Sequence, residues 1–295
     1  MRYSKIPRRL FLIFLLVLSI LPLSLPCRAA ETMIGGKDSG LVNLLLIGQD
    51  QQAEEAAARS DAIILCTLQP DAGKVIITSF LRDLYVSIPG HGENRLNAAF
   101  ALGGMELLRQ TIEDQFGVSV DGCIAVDFSH FSGIIDILGG VTMTLRQDEA
   151  DAINSAVPGE LTEGSFLLNG EQALAYARIR RLDADGDFSR TDRQRRLLSA
   201  LLERWEDASF LSVLSAIADI LPLVSTTLNS REILLLGAKL FPLMKEPELL
   251  SQRIPAAGTY CACTIRGMAV LKADMDAARS LLMKTLPVCP EEGAE

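Results

Sequence analysis

Histidine and aromatic side chains are scarce in this chain. Its 295 residues hold two histidines, His91 and His130, far apart and in no ligand spacing. That argues against a histidine-built metal site and against a Ser-His-Asp triad. Aromatic residues make up 5% of the chain, too few to suggest a carbohydrate- or base-stacking surface built from rings. The six cysteines contain no paired CxxC spacing of the zinc-binding kind. No internal repeat is present, which leaves solenoids aside. Positive charge is also in deficit: the net charge is −9 and the isoelectric point near 4.9, so general nucleic-acid binding is not expected.

What is present is apolar content of 49% beside 22% charged residues, enough for a sizeable core. At the N-terminus, Arg2, Lys5, Arg8 and Arg9 precede the apolar run Leu10–Leu25. Positive charge ahead of such a run keeps the N-terminus in the cytoplasm and sends the downstream chain across the membrane. The run is short for a span, and Cys27-Arg28-Ala29 resembles a cleavage site, so a cleaved signal peptide and a retained anchor both fit. Either way the rest is expected on the extracytoplasmic face of the membrane, anchored or secreted. Residues 1–30 are thus read as leader or anchor, 31–40 as linker, 41–287 as one domain and 288–295 as a tail.

Within that domain, 41–48, 62–68 and 74–81 are unbroken apolar runs bounded by turn residues, as in strands buried on both faces. Residues 97–117 carry helical spacing and stop at Gly117, while 122–128 reads as a strand and 129–140 as a short helix closed by glycines. Val141–Leu145 alternates. The segment "GEQALAYARIR" reads as helix leading into strand, 190–205 as a strong helix, and 252–271 as a late strand pair. The whole predicts an α/β domain with helices on both faces of a mixed sheet. Cys66 and Cys123 fall in strand runs and are expected as free buried thiols. A bridge within Cys261, Cys263 and Cys289 fits the compartment.

One stretch runs against the acidic balance. Between Arg178 and Arg196 stand seven arginines in 19 residues. With "YARIR" as a strand, Arg178 and Arg180 share a face with Tyr176. Ser189 and Asp192 have capping-box spacing, which makes Arg190 the first helical residue. On that helix Arg190, Arg193, Gln194, Leu197 and Leu201 share one side, while Arg195 and Arg196 are expected in solvent. Guanidinium groups crowded together need an anion: either Asp183, Asp185 and Asp187 of the same loop, or a ligand. Further charges stand at strand ends: Asp50, Arg59 with Asp61, and Arg82 with Asp83. Ligand sites concentrate at such ends in α/β sheets. Together these residues suggest Asp50 and Asp61 holding a hard divalent cation and the arginines holding a phosphate-rich ligand.

The segments "RSDAIIL", "TSFLRDLYVSIPG", "RLNAAFALGG", "VDFSHFSGIIDILGGV", "LNGEQALAYARIR" and "DFSRTDRQ" resemble, in order, the motifs of the LytR-CpsA-Psr family. "IPAAGTY" is similar to its late strand motif, and the likeness covers about residues 41–286. The resemblance implies a three-layer αβα sandwich around a mixed sheet. It also implies an enzyme that moves an anionic glycopolymer, of teichoic acid or capsule type, from a polyprenyl-pyrophosphate carrier in the membrane lipid to peptidoglycan. Asp50 and Asp61 match the family's acids for Mg²⁺, with Mn²⁺ as a substitute. Arg59, Arg82, Arg178, Arg180, Arg190, Arg193 and Gln194 match its pyrophosphate-binding set. Asp83 adjoins Arg82 in the arginine–aspartate pair and is the candidate base, an assignment the sequence alone leaves open. A lipid-tail pocket between the sheet and the apolar helices of 129–140 and 211–245 is implied too. Leu81, Arg95 and Ala98 depart from the common proline, lysine and histidine, which leaves substrate preference open. The alternatives are a non-catalytic envelope sensor or scaffold and a lipid-pyrophosphate hydrolase.

Overall fold

The computed structural model describes residues 40–50, 59–180, 182, 186–204, 208–244 and 247–285, with Asp50, Arg59, Met244 and Thr285 by backbone alone. The expected N-terminal run, linker and tail, together with Cys289, Asp183 and Asp185, lie outside these residues. All described residues belong to one compact unit, Ile34–Glu295. No helix among them is long and apolar enough to cross a membrane.

Six strands form the central sheet: β1 (Val42–Asp50), β2 (Arg59–Gln69), β3 (Lys74–Phe80), β6 (Gly122–Asp127), β9 (Ser225–Thr226) and β10 (Glu248–Ile254), in the order β10-β3-β2-β1-β6-β9. β1 pairs parallel with β6 and antiparallel with β2, and β10 pairs parallel with β3, so the sheet is mixed as expected. Alternation along each strand supplies two cores. Leu45, Ile47, Ile63, Leu65 and Phe80 face a layer made by α1 (Leu96–Phe116) and α8 (Met275–Thr285). Leu44, Ile64, Cys66 and Ile77 face α5 (Asp187–Arg204) and α7 (Ser230–Leu240). Two helical layers enclosing a sheet give the three-layer αβα sandwich. α1 ends where the sequence indicates, at Gly117 with φ 70°, but breaks at Gly103–Gly104, whose backbone is not helical.

A third core sits beside the sandwich. It gathers α2 (Phe128–Ile137), the hairpin of β7 (Val141–Leu145) and β8 (Gly164–Leu168), α3 (Gln147–Ala156), α4 (Gly170–Arg178) and the inner face of α5. α3 falls in a polar run to which the sequence reading assigns no element, although Asp148 and Glu149 open its first turn and Ala150 and Ile153 are buried one turn apart. α4 corrects a second expectation: "YAR" ends a helix and is no strand. Asn169 caps it in a reciprocal box with Gln172, and Tyr176 is fully buried one turn beyond Ala173. α5 begins at Asp187, so Ser189 is inside the helix and does not cap it. The late strand pair is present as β11 (Tyr260–Ile265) and β12 (Met268–Ala273). Cys66 and Cys123 are free and buried, and Cys261 and Cys263 are free thiols too, so neither bridges the other.

Candidate active site

Topology collects the strand-end charges at one edge. β1 and β6 run parallel, and β3, antiparallel to β2, runs parallel to β1. Their carboxyl ends therefore share an edge with the start of β2. Asp50 and Asp127 close β1 and β6, Arg59–Asp61 open β2, and Arg82 and Asp83 come just after β3. Asp50 stands opposite Arg59 in the ladder. Gly48 pairs with Ala62 but Gln49 pairs with Ser60, leaving Asp61 as the extra residue of a bulge. A bulge re-aims a side chain at the cost of one ladder position, and here the side chain is the buried Asp61.

Three guanidinium groups converge on Asp61. Arg82 Nη1 donates to its Oδ1, Arg180 Nη2 to its Oδ2 at 3.0 Å, and Arg190 Nη2 to its backbone oxygen at 3.2 Å. Arg82 also donates through Nε to Asp187 Oδ2 at 2.9 Å, so one acid of the loop does pair with the cluster. Asp83 lies 3.4 Å from Arg95 Nη1 and 3.8 Å from Arg82 Nε. Arg190 is only 2% exposed, and its Nε has no hydrogen-bond partner among the described residues. Its Nη1 is 3.2 Å from Asp187 Oδ1 but is not aligned to donate to it.

The charges register this crowding. Burial, resisted by Asp187 and Asp61 and reinforced by repulsion from Arg82 and Arg180, pulls the Arg190 guanidinium down to about 10. Burial alone would raise the Asp61 carboxyl. The hydrogen bond and charge of Arg82, with Arg190 and Arg180, outweigh it and hold the carboxyl below its ordinary range. Among the described residues, cations outnumber the acids that reach them, and donors at Arg190 stand unmet in a buried place. An anion is what this arrangement lacks.

The remaining predicted residues are distributed differently. Arg193 is buried as expected, but its Nε donates to Glu149 Oε1 at 3.0 Å and not to the Asp61 group. Glu149, 1% exposed, also accepts from Arg196 at 3.4 Å and from the Arg146 backbone at 3.2 Å. Gln194 is half-buried and its Oε1 is unpartnered. Arg178, the last residue of α4, lies over the Phe128 ring, 4.3 Å from its centre, and lines the same cleft as Arg180. Arg195 corrects the expectation of a solvated side chain. It is 5% exposed and donates to Ser251 Oγ of β10 at 2.8 Å and to Asp192 at 2.9 Å. α5 is packed on several sides, so helical spacing alone could not tell that Arg195 is withdrawn from water. Glu149 and Arg95 are residues of this edge that sequence reasoning did not assign to the site, and a buried acid in "QDEADA" has no sequence signal of its own.

No three His, Cys, Asp or Glu side chains gather among the described residues. A dedicated protein cage is not what Mg²⁺ requires, since one or two carboxylates plus phosphate oxygens and water suffice. Asp61 offers carboxylate oxygens of the right kind, each of which here accepts from a guanidinium group, and Asp50 stands opposite Arg59 in the ladder. One cavity opens at the edge and another lies back from it along the sheet. A cleft of about 950 Å³ is lined by Asp127, Ser129, Glu171, Arg178 and Arg180 among others. An apolar pocket of about 290 Å³ lies between Leu44 and Ile124 of the sheet, Val213 and Ile217 of α6 (Phe210–Ile220), and Leu236 and Leu240 of α7.

A model of the LytR_cpsA_psr family matches residues 26–284. The chain belongs to that family. Among members of this LytR_cpsA_psr family, the polyisoprenyl-teichoic acid–peptidoglycan teichoic acid transferase TagU of Oceanobacillus iheyensis is 37% identical over 193 residues, 63% of this chain and 58% of TagU. The chain therefore spans little more than half of that relative. The regulatory protein MsrR of Staphylococcus aureus is 32% identical over 227 residues, covering 76% of this chain and 67% of MsrR. Solved structures of TagT superpose over 87% of this chain and 92% of TagT. The one bound to LIIa-WTA is 27% identical with a TM-score of 0.70, and the one with bound octaprenyl pyrophosphate lipid is 25% identical with a TM-score of 0.65.

Proposed function

We propose that the protein is an extracytoplasmic phosphotransferase that moves an anionic glycopolymer, of teichoic acid or capsule type, from a polyprenyl-pyrophosphate carrier to peptidoglycan. The observation that carries this reading is the convergence of Arg82, Arg180 and Arg190 on Asp61, with buried donors of Arg190 unmet. A pyrophosphate supplies the missing negative charge, and a relative of the same fold is described with a prenyl pyrophosphate bound.

A peptidoglycan hydroxyl oxygen attacks the phosphorus that bears the glycopolymer. The new P–O bond is a phosphodiester, and the bond from that phosphorus to the bridging oxygen breaks. Polyprenyl phosphate leaves with the bridging oxygen. The hydroxyl proton passes to a carboxylate, for which Asp83 beside Arg82 is our assignment. Arg82, Arg180 and Arg190 neutralise charge on the transferring and leaving phosphates, where most catalysis of phosphoryl transfer lies. Asp50 and Asp61 would hold Mg²⁺, or Mn²⁺ in its place, which would supply further positive charge at the phosphates when bound. The apolar pocket between β1, β6, α6 and α7 takes the lipid tail. Arg59 and Arg178 are assigned to the outer edge of the phosphate site, and Arg193 and Gln194 support it from the second turn of α5.

Removing one positioned donor to a developing anion costs about 10²–10³ in rate. Transfer from a polyprenyl-pyrophosphate glycan to peptidoglycan oligomers by Arg82→Ala should fall by at least that much, with the fold retained by circular dichroism. Near-normal transfer from the folded variant would remove the arginine cluster from the mechanism.

A further inference from the structure

The 950 Å³ cleft has a lining unlike that of the phosphate site. Its polar wall carries the carboxylates of Asp127 and Glu171 and the hydroxyls of Ser129 and Ser132. Its floor is apolar and small-featured, with Ala152, Ala156, Val157 and Leu174. Arg178 and Arg180 stand at one end, and Arg180 is the residue that reaches Asp61 at 3.0 Å. Asp127 neighbours Gln49 in the sheet, and Gln49 neighbours Ser60. The cleft thus begins where the phosphate cluster ends.

Its charges select among the participants of the reaction. Arg178 and Arg180 confine the positive charge of the lining to one end; beyond them a polymer with a phosphate in each repeat meets only Glu171 and Asp127, the latter paired with His130 Nδ1 at 2.8 Å, and these acids disfavour it. Asp127 is firmly ionised. Burial would raise its carboxyl, but hydrogen bonds from the Ser129 hydroxyl and the His130 backbone, with the nearby imidazole, hold it low. Carboxylates only accept hydrogen bonds and serine hydroxyls do both, which matches the hydroxyls and amides of uncharged sugars. The apolar floor suits pyranose faces and acetamido methyl groups. A volume of this size with an apolar lining and a few convergent polar groups is typical of a site for a small molecule or short chain. The lipid end of the donor has another address: β6 sends Ile124 to the apolar pocket and, at an odd spacing, Asp127 to the cleft.

We propose that this cleft binds the uncharged glycan strand that accepts the phosphoryl group, with Asp127 and Glu171 taking hydrogen bonds from its sugar hydroxyls. The assignment of the acceptor's role rests on the transferase reading above. Occupied in this way, the cleft presents an acceptor hydroxyl across Arg180 to the phosphates at Asp61. Glu171 and Ala156 are both exposed in the cleft lining, so Glu171→Lys and Ala156→Trp change its charge and its width without touching a core.

The test titrates the full-length protein in detergent with a peptide-free peptidoglycan tetrasaccharide, monitored by calorimetry, and runs the transfer assay in parallel. Wild type should bind the tetrasaccharide saturably, and each variant at least tenfold more weakly. In transfer, the KM for the acceptor should rise by a similar factor while the KM for the donor stays where it was. No saturable binding by wild type, equal binding by the variants, or a change confined to the donor KM would overturn the assignment. Saturable binding that the variants weaken, in a protein that transfers nothing, would instead retire the transferase reading and leave the cleft a glycan site.

Discussion

Arg190 concentrates the conflict between folding and function in one side chain. A guanidinium buried with unmet donors is a destabilising element in the absence of an anion. Arg190→Met keeps the volume and removes the charge, and Asp61 still has Arg82 and Arg180. The variant should unfold at a temperature equal to or a few degrees above wild type, while binding of inorganic pyrophosphate falls at least a hundredfold. A marked loss of thermal stability with pyrophosphate binding retained would show that the side chain is structural. Asp61 sets the acid limb. Its carboxyl is held below its unfolded value, so the unfolded chain takes up the proton first as pH falls. The stability it contributes is complete above the ordinary carboxylate range and is lost as pH drops through the folded value. Urea midpoints measured from pH 6 down to pH 3 should fall less steeply for Asp61→Asn than for wild type, and identical slopes would contradict the coupling.

At the scale of elements, α5 ties the site together. Its first turn places Arg190 at the phosphate cluster, and its second places Arg193 against Glu149 on α3. Breaking a buried pair by removing one partner costs about 3–5 kcal/mol, because the other charge stays behind. Glu149→Ala should lower stability by an amount of that order in urea unfolding and should misplace α5. A loss under about 1 kcal/mol would mean that Arg193 finds another partner, a surface-like outcome. The elements also differ in how far a sequence reveals them. The apolar runs in 41–48, 62–68 and 74–81 announce strands because nothing polar interrupts a strand covered on both faces. Gly117 announces the end of α1 because its positive φ needs no side chain. The Arg190, Arg193, Leu197 stripe is legible from helical spacing. Arg195 is not, since its burial depends on Ser251, 56 residues away. "YARIR" misleads because two arginines at alternate positions resemble a strand face. The signal that corrects it is the Asn169–Gln172 capping box that starts α4.

For the whole molecule, the sheet separates chemistries by face and by edge. One edge gathers acids and arginines from β1, β2, β3 and β6, and the cores lie back from it on either side. The apolar pocket lies against the face covered by α6 and α7. Filling it with Ile217→Trp should raise the KM for a long polyprenyl-pyrophosphate donor about tenfold or more. Affinity for inorganic pyrophosphate, which has no tail, should not move. Loss of both affinities together would place the tail elsewhere. The division of lipid, phosphate and glycan proposed above is legible only in outline from the sequence. Motif order locates the charged edge, but the cleft of α2, α3 and α4 requires the third core, to which α3 contributes only Glu149, Ala150 and Ile153 from a polar run.

The transfer reaction is tested most directly by mass spectrometry of the products that the full-length protein forms from a polyprenyl-pyrophosphate glycan, Mg²⁺ and peptidoglycan oligomers. A glycan–peptidoglycan phosphodiester should appear together with polyprenyl phosphate, only when the acceptor is present, and should be lost in Asp61→Asn. Release of polyprenyl phosphate at the same rate without acceptor, and with no phosphodiester, would contradict the transferase and make the protein a lipid-pyrophosphate hydrolase.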